Sequence, residues 1–266
     1  MINVFAKFIS RLGLLTILAV LSACATTNVR EHPTLESQLL DVDSVLIVTP
    51  AVTVEQVNFS ADNERLVGLE QTIQNDLIAM ATERLTARGF EIVDFDLEQA
   101  IAEDENLAYA VTQAEEGFEE AKKTLYDEPL TEDEKRKFQV SVGTAVNIIA
   151  EKSGADAVLL MHYIGYKKSA GNVAKDVAVG VLSGLLLGVV PTSAASSSYV
   201  EVAFIDGVTG DVLWTNVFTA ASLDLTAANK AMEAFPEDVD TLTAESAVVE
   251  QQITEEDVSN ETEEDF

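Results

Sequence analysis

Cysteine, histidine and basic residues are all scarce in this sequence of 266 residues. The one cysteine, Cys24, excludes an internal disulfide and a cysteine-rich metal site. The two histidines, His32 and His162, leave little for histidine-based catalysis or zinc binding. Lys and Arg total 16 against 46 Asp and Glu, which gives a formal net charge of −30. Because so acidic a surface repels phosphates, we expect no nucleic-acid binding.

Sequence motifs of active sites are missing as well. No G-x-G-x-x-G or P-loop pattern occurs, which argues against a nucleotide site. The run Ser196–Ser198 lacks the glycines that flank a nucleophile elbow. His162 lies inside a predicted strand, and we interpret it as structural. The stretch Asp94–Glu98 lacks the glycine of a calcium loop, so we interpret it as a strand end followed by a helix cap at Asp96. We therefore predict no catalytic residue, no cofactor and no metal site.

The first 24 residues have the organisation of a secretory signal. Met1–Arg11 is basic, Leu12–Leu21 is apolar, and small residues follow. As a helix, the apolar run would be about 15 Å long, which is too short to span a bilayer. The residues Leu21-Ser22-Ala23-Cys24 resemble the bacterial lipobox. This resemblance implies cleavage between Ala23 and Cys24 and lipidation of the Cys24 sulfur.

Lipidation at Cys24 would attach the protein to a membrane through acyl chains, without a spanning helix. Ala25 follows the cysteine. In lipoproteins of this kind, Asp at that place is associated with retention in the inner membrane. We therefore expect anchoring in the outer membrane, on its periplasmic face. An ordinary signal peptide with a chance cysteine, or a buried structural cysteine, is the alternative.

The composition divides the mature chain into a tether, a domain and a tail. Residues 24–43 are polar and mixed and predict a tether, and residues 44–235 predict an α/β domain. Inside the domain, residues 97–137 are charged and helical in composition and predict an exposed helical excursion. Residues 236–266 contain 12 acidic residues and no Lys or Arg, so we predict a disordered acidic tail.

Hydrophobic periodicity predicts a mixed sheet of about four to five strands covered by helices, an α/β fold with some α+β character. Residues 51–63 are expected to form a loop. The predicted strands are 44–50, 90–94, 156–166, 199–205 and 212–218. The predicted helices run from Leu66 to Gly89, from Phe138 to Gly154 and from Ser222 to Phe235. The single tryptophan, Trp214, is expected to pack in the core.

Two short motifs resemble a group of bacterial envelope lipoproteins. One is Gly154-Ala155-Asp156-Ala157-Val158-Leu159, and the other is Asp206-Gly207-Val208-Thr209-Gly210-Asp211-Val212-Leu213-Trp214. The group includes the curli-secretion channel lipoprotein and the activator lipoproteins of peptidoglycan synthases. Its members share an α/β domain similar to the amino-terminal domain of TolB. The resemblance covers residues 44–235 and implies a non-enzymatic scaffold or assembly role.

Residues 174–191 are apolar and rich in glycine. Gly180, Gly184 and Gly188 are four residues apart, which would place them on one face of a helix, where another backbone could approach closely. The apolar run would reach only about 21 Å as a helix, short of a bilayer. We expect the three glycines to serve association or membrane contact. Burial against the chain's own sheet is the alternative.

These observations favour a lipid-anchored outer-membrane lipoprotein with a non-enzymatic binding or assembly role in the bacterial envelope. Its partners would be the membrane and an envelope protein of unknown identity, with self-association into a homo-oligomer as a further expectation. The alternatives are an envelope hydrolase acting on cell wall or lipid, and a self-associating membrane-inserting secretion component. A hydrolase needs a cleft with converging titratable groups, whereas a binding module needs an exposed apolar or acidic face.

Overall fold

The computed structural model describes residues 28–58, 62–126, 138–169 and 194–236. The signal peptide, Cys24, the glycine-rich segment 174–191 and residues 237–266 of the predicted tail lie outside these ranges, so what the sequence predicts for them stays a prediction. Within the described ranges, no helix combines the length and the apolar character needed to cross a membrane.

The described chain is built around a mixed sheet of eight strands. They are β1 (Arg30–Glu31), β2 (Ser44–Ile47), β3 (Ala51–Val57), β4 (Glu64–Arg65), β5 (Glu91–Ile92), β6 (Ala157–Lys168), β7 (Ser196–Asp206) and β8 (Val212–Ala220). The spatial order is β1-β8-β7-β6-β2-β5. Strand β3 also pairs with β6, and β4 pairs with β3. The α/β class is confirmed. The predicted strand count of four to five is too low, because the short strands β1 and β4 and the polar strand β3 have weak hydrophobic patterns.

Helices cover both faces of the sheet. They are α1 (Leu35–Leu39), α2 (Val67–Thr86), α3 (Leu97–Glu103), α4 (Glu105–Tyr126), α5 (Ala145–Ser153) and α6 (Thr226–Glu233). Helices α1, α2 and α6 contribute to the core on one face, which we call the first face. Helices α3, α4 and α5 contribute to the core on the opposite, second face.

Strands β2 and β3 follow one another along the same edge of β6. Both pair with it in parallel, β2 opposite Ala157–Leu159 and β3 opposite His162–Lys168. Pro50, which has no N–H to donate, separates them. The prediction of a loop is therefore wrong for residues 51–57. Polar residues alternate with Val52 and Val54 in this stretch, as they do in a strand with one solvated side.

A carboxylate closes the outer edge of β3. Glu70 Oε1 accepts hydrogen bonds from the Val54 N–H at 2.9 Å and from Arg65 Nε at 3.0 Å, and Glu70 Oε2 accepts one from Arg65 Nη2 at 2.8 Å. Burial by itself would raise the pKa of Glu70, but the hydrogen bonds from Arg65 and Val54 outweigh it and lower the pKa. At Val54 the side chain of Glu70 thus accepts the hydrogen bond that a neighbouring strand would accept.

The first face of the sheet is an apolar and aromatic core. Trp214 meets Phe235 edge-on with ring centroids 5.0 Å apart, and Phe204 lies 5.2 Å from Phe235. Trp214 is fully buried, so the prediction that it packs in the core is confirmed.

Part of the predicted tether belongs to this core. Four apolar side chains of residues 28–43 are buried in the core of the first face: Val29, Leu35, Leu39 and Val42. Residues 28–43 therefore do not form a free tether, and the folded chain begins close to Cys24. The four apolar residues are separated by polar ones, so composition alone did not reveal them.

The predicted exposed excursion packs on the second face instead. Helix α4 buries a stripe of residues three or four apart, namely Leu107, Ala110, Ala114, Phe118, Ala121 and Leu125. This spacing keeps the side chains on one side of a helix, while the acidic residues between them face solvent. The high charge of residues 97–126 masked an amphipathic pattern, and the prediction of an exposed excursion is wrong for these residues.

The two motifs that resemble envelope lipoproteins meet at one end of the sheet. Gly154 ends α5 in the left-handed conformation with φ 75°. Asp156 Oδ2 accepts hydrogen bonds from the backbone N–H of Ser44 at 2.9 Å and from its hydroxyl at 2.7 Å, which holds the start of β2. The Gly207 N–H donates to the Asp156 carbonyl at 2.8 Å, and a Cβ on Gly207 would lie 2.5 Å from that oxygen. The motifs therefore join a helix end, two strands and a hairpin turn.

Candidate functional site

A groove opens where the parallel strands β2 and β5 end. Parallel neighbours bring their carboxyl ends to the same edge of a sheet, and ligands of α/β proteins often bind there. The groove has a volume of about 440 Å³. Helix α2 forms one wall, and the loop from β5 into α3 forms the other. We call this feature the β2–β5 groove.

The lining of the β2–β5 groove is mostly apolar. Ile47 and Ile92 come from the two strands, Ile78 from α2, and Phe95 from the loop. All four are only partly buried, so they present apolar surface to whatever enters the groove. Contiguous apolar surface that remains accessible is typical of a contact site.

Carboxylates rim this apolar surface. Asp94, Asp96 and Glu98 line the groove and are exposed. Asp96 Oδ1 also accepts a hydrogen bond from the Gln99 N–H at 2.9 Å, so the predicted helix cap at Asp96 is confirmed. The same short stretch that the sequence marked as a strand end and cap thus supplies the negative charge of the groove. The groove itself was missed, because its walls are far apart in the chain.

Strand β5 adds backbone groups beside the groove. It is the last strand of the sheet on this side, and among the described residues it pairs with β2 alone. Its outer edge can therefore pair with an extended segment of another chain. The edge is short, with two residues, which limits such pairing.

A second polar feature lies on the second face, under α4. Glu119, Lys122, His162 and Glu201 form what we call the ion cluster. Lys122 Nζ donates to Glu119 Oε1 at 2.5 Å and to Glu201 Oε2 at 2.9 Å. His162 Nδ1 lies 3.5 Å from the same oxygen of Glu119 and 3.6 Å from the same oxygen of Glu201. The sequence indicated only a structural role for His162 and gave no sign of these carboxylates.

The side chains of the ion cluster differ in exposure, from the solvent-facing Glu119 to the buried Glu201. The side chain of Glu119 is 56% exposed, that of Lys122 20%, and that of Glu201 1%. Burial by itself would lower the pKa of Lys122, but the charge of Glu201 and the hydrogen bonds to Glu119 and Glu201 outweigh it and raise the pKa. Lys122 is therefore an ammonium ion that compensates the buried carboxylate of Glu201.

Further polar contacts hold the end of α4 next to the ion cluster. The Tyr126 hydroxyl lies 3.1 Å from Thr215 Oγ1, and burial raises the pKa of Tyr126. Arg30 Nε donates to the Leu125 carbonyl at 3.0 Å, with its guanidinium 5.2 Å from the centre of the Tyr126 ring. Helix α4 is thus fixed on the sheet at its last turn.

The structure does not describe the site residues that the sequence predicted. Cys24, Ala23, Gly180, Gly184 and Gly188 are outside the described residues, so the structure does not place them.

No protein-family model matches the sequence, and no curated protein matches it. Among solved structures, lipoprotein GNA1162 from Neisseria meningitidis is 14% identical, with 80% of this chain and 96% of that chain covered and a TM-score of 0.29. The C-terminal domain of LpoB from Salmonella enterica is 13% identical, with 70% and 92% covered and a TM-score of 0.27.

Proposed function

We propose that this chain is a lipid-anchored lipoprotein of the outer membrane whose folded domain binds an envelope protein, with a role in assembly and without catalysis. The observation that carries the binding role is the β2–β5 groove, with its apolar lining and its carboxylate rim. The lipobox-like residues before Cys24 support the anchor.

The described fold supports a position close to the lipid surface. Strand β1 begins at Arg30, six residues after Cys24. Extended chain spans at most about 3.6 Å per residue, so these residues reach no more than about 22 Å. With Cys24 acylated, the domain would stay beside the membrane.

The charge of the groove indicates the chemistry of the partner. Apolar side chains form its lining, the rim is acidic, and the whole chain has a net charge of −30. A protein segment that combines apolar side chains with Lys or Arg would bury its apolar side chains in the groove and pair its positive charges with the carboxylates of the rim. We propose such a segment of an envelope protein as the ligand.

Site-directed photo-crosslinking in intact envelopes tests this proposal. A photoreactive amino acid at Thr82, inside the groove, should capture a discrete protein, while one at Gln71, exposed on the same helix outside the groove, should not. Reversing the rim with Asp94→Lys and Glu98→Lys should abolish the captured band. Equal capture from Gln71, or capture that survives the reversal, would contradict the proposal.

The anchor is tested separately. The Cys24→Ser variant should remain uncleaved at the Ala23–Cys24 bond and should not incorporate labelled fatty acid. Acyl labelling that persists in this variant would rule out Cys24 as the lipidated residue.

We further propose self-association through Gly180, Gly184 and Gly188. A leucine at the central position would fill the small face that lets two helices approach. Gly184→Leu should therefore reduce cross-linked oligomers while the domain keeps its melting temperature. Loss of stability without a change in oligomeric state would instead indicate packing inside the domain.

A further inference from the structure

We propose that the ion cluster is a binding site for Zn²⁺, in which Lys122 acts as an internal competitor for the metal. Three atoms of the kind that bind zinc converge there: His162 Nδ1, Glu119 Oε1 and Glu201 Oε2 all lie within 4.8 Å of one another. This inference is independent of the β2–β5 groove, which lies elsewhere on the sheet.

The spacing of these atoms suits a small tetrahedral ion. Zinc bonds of about 2.0–2.2 Å place neighbouring ligand atoms about 3.4 Å apart. His162 Nδ1 is 3.5 Å from the Glu119 oxygen and 3.6 Å from the Glu201 oxygen. These two distances need only small side-chain shifts. The three atoms together span up to 4.8 Å, so Glu119, the most exposed ligand, would move toward Glu201 when the ion binds.

Two of the three ligands are held rigidly. His162 on β6 and Glu201 on β7 are direct partners across an antiparallel pair of strands. The Phe118 ring packs edge-on against the His162 ring with centroids 6.0 Å apart. A fixed pair with one mobile third ligand can accept an ion without disturbing the sheet.

The buried carboxylate of Glu201 provides separate evidence for an additional ligand. Glu201 is 1% exposed, and among the described residues its Oε1 has no hydrogen-bond partner, although Oε2 meets Lys122. A buried oxygen without a partner is costly, and a metal bound by both oxygens would satisfy it.

The charge balance also favours a divalent ion. Glu119 and Glu201 contribute two negative charges, and Lys122 returns one. Its ammonium occupies the position that a metal would take, in contact with the same two oxygens. The Lys122 side chain is 20% exposed, so its charged end can turn to solvent when Zn²⁺ binds. The imidazole ligand favours Zn²⁺ over Ca²⁺ or Mg²⁺, which prefer oxygen alone.

The test uses the detergent-solubilised full chain near neutral pH, with the two histidines as internal probes. In ¹H–¹⁵N NMR spectra of the histidine side chains, one equivalent of Zn²⁺ should shift the signals of His162 and leave those of His32 unchanged. His32 is a matched control because it is buried, its Nδ1 is engaged with the Thr34 hydroxyl at 2.8 Å, and among the described residues it belongs to no cluster of metal-binding side chains. Unchanged His162 signals would overturn the proposal.

Affinities for Zn²⁺ then separate this site from the many surface carboxylates. His162→Gln and Glu201→Gln should each weaken the tightest binding by at least about tenfold, whereas His32→Gln should not change it. Lys122→Met should strengthen it by at least about tenfold, because the competing cation is gone. If Lys122→Met does not fold, the His162 and Glu201 variants still decide the matter. Equal affinity in wild type, His162→Gln and Glu201→Gln would show that zinc binds elsewhere.

Discussion

The two faces of the sheet bury their side chains by different physical means. On the first face, Phe204, Trp214 and Phe235 form a continuous aromatic core. On the second face, the apolar packing around Phe118 is followed by the ion cluster and by the contact of Tyr126 with Thr215. On the first face a buried side-chain contact, from Asn216 Nδ2 to the Ala231 carbonyl at 2.9 Å, accompanies the aromatic packing, whereas the second face contains a set of charged groups that must meet specific partners.

The two faces therefore contribute differently to the stability of the fold and to the position of the helices on the sheet. Apolar burial is non-directional, so the first face contributes free energy without fixing one exact arrangement. A buried ion pair gains little net free energy, but it strongly disfavours any arrangement that leaves a charge unpaired. We infer that the ion cluster fixes the position of α4 along the sheet.

The largest effect is expected from the aromatic core of the first face. Trp214→Ala should lower the free energy of unfolding by about 3–5 kcal/mol, because it leaves a cavity in a fully buried site. Trp214→Phe should cost clearly less, since the indole Nε1 has no hydrogen-bond partner among the described residues. Chemical denaturation measures both. Equal costs would show that the indole nitrogen, and not only the volume of the ring, stabilises the fold.

The ion cluster should respond in a non-additive way. Lys122→Met should cost about 3 kcal/mol, since it leaves Glu201 buried without its counter-ion. Adding Glu201→Met to the same chain should restore most of the loss, because no unpaired charge remains. A double-mutant cycle by urea unfolding checks this. Additive losses would mean that the two side chains act independently.

The ion pair of Glu70 with Arg65, at the margin of the first face, should make the stability of the fold depend on pH. The pKa of Glu70 is lowered in the fold, so its stabilising effect is present above the ordinary value of 4.5 and is lost as the pH falls through the lowered pKa. Glu70→Gln should cost about 2 kcal/mol at neutral pH and should flatten the loss of stability on acidification. The exposed Glu64→Gln is the control, and it should leave the pH profile unchanged. An unaltered profile in Glu70→Gln would contradict this account.

The smallest effects concern two glycines. Gly207→Ala should cost about 1.5 kcal/mol, because its Cβ would lie 2.5 Å from the Asp156 carbonyl oxygen and 2.7 Å from Ala150 Cβ. Gly68→Ala, in the first turn of α2, meets nothing within 4 Å and should stabilise by about 0.5 kcal/mol. Thermal unfolding of both variants decides whether the glycine in the motif is there for close packing. A neutral Gly207→Ala would contradict that explanation.

Local patterns predicted the elements whose apolar residues are dense. Helix α2, the long strand β6 and the β7–β8 hairpin all follow their expected residues closely. Strand β3 was missed because polar residues alternate along it. The stripe of α4 was missed because the surrounding charge concealed it.

The candidate sites were harder to predict, because they depend on contacts between distant parts of the chain. Lys122 and Glu201 are 79 residues apart. A lone glutamate between Val200 and Val202 in a strand was the single local sign of a buried charge. The β2–β5 groove combines α2 with two strand ends and a loop, none of which is unusual alone. By contrast, the motifs used for the family resemblance contact each other in the fold, and their described contacts are structural.

If Cys24 is acylated as proposed, the early start of the folded chain restricts the region in which the domain can meet a partner. With at most about 22 Å of chain between a lipid at Cys24 and β1, the domain would search a thin layer over the membrane rather than the depth of the periplasm. Encounters within such a layer are two-dimensional, and the effective concentration of other membrane-bound proteins is high there. A partner anchored in the opposite membrane would have to extend its binding segment across the intervening space to arrive. With such an anchor, lengthening the interval between Cys24 and Arg30 would extend the distance over which the domain could meet a partner.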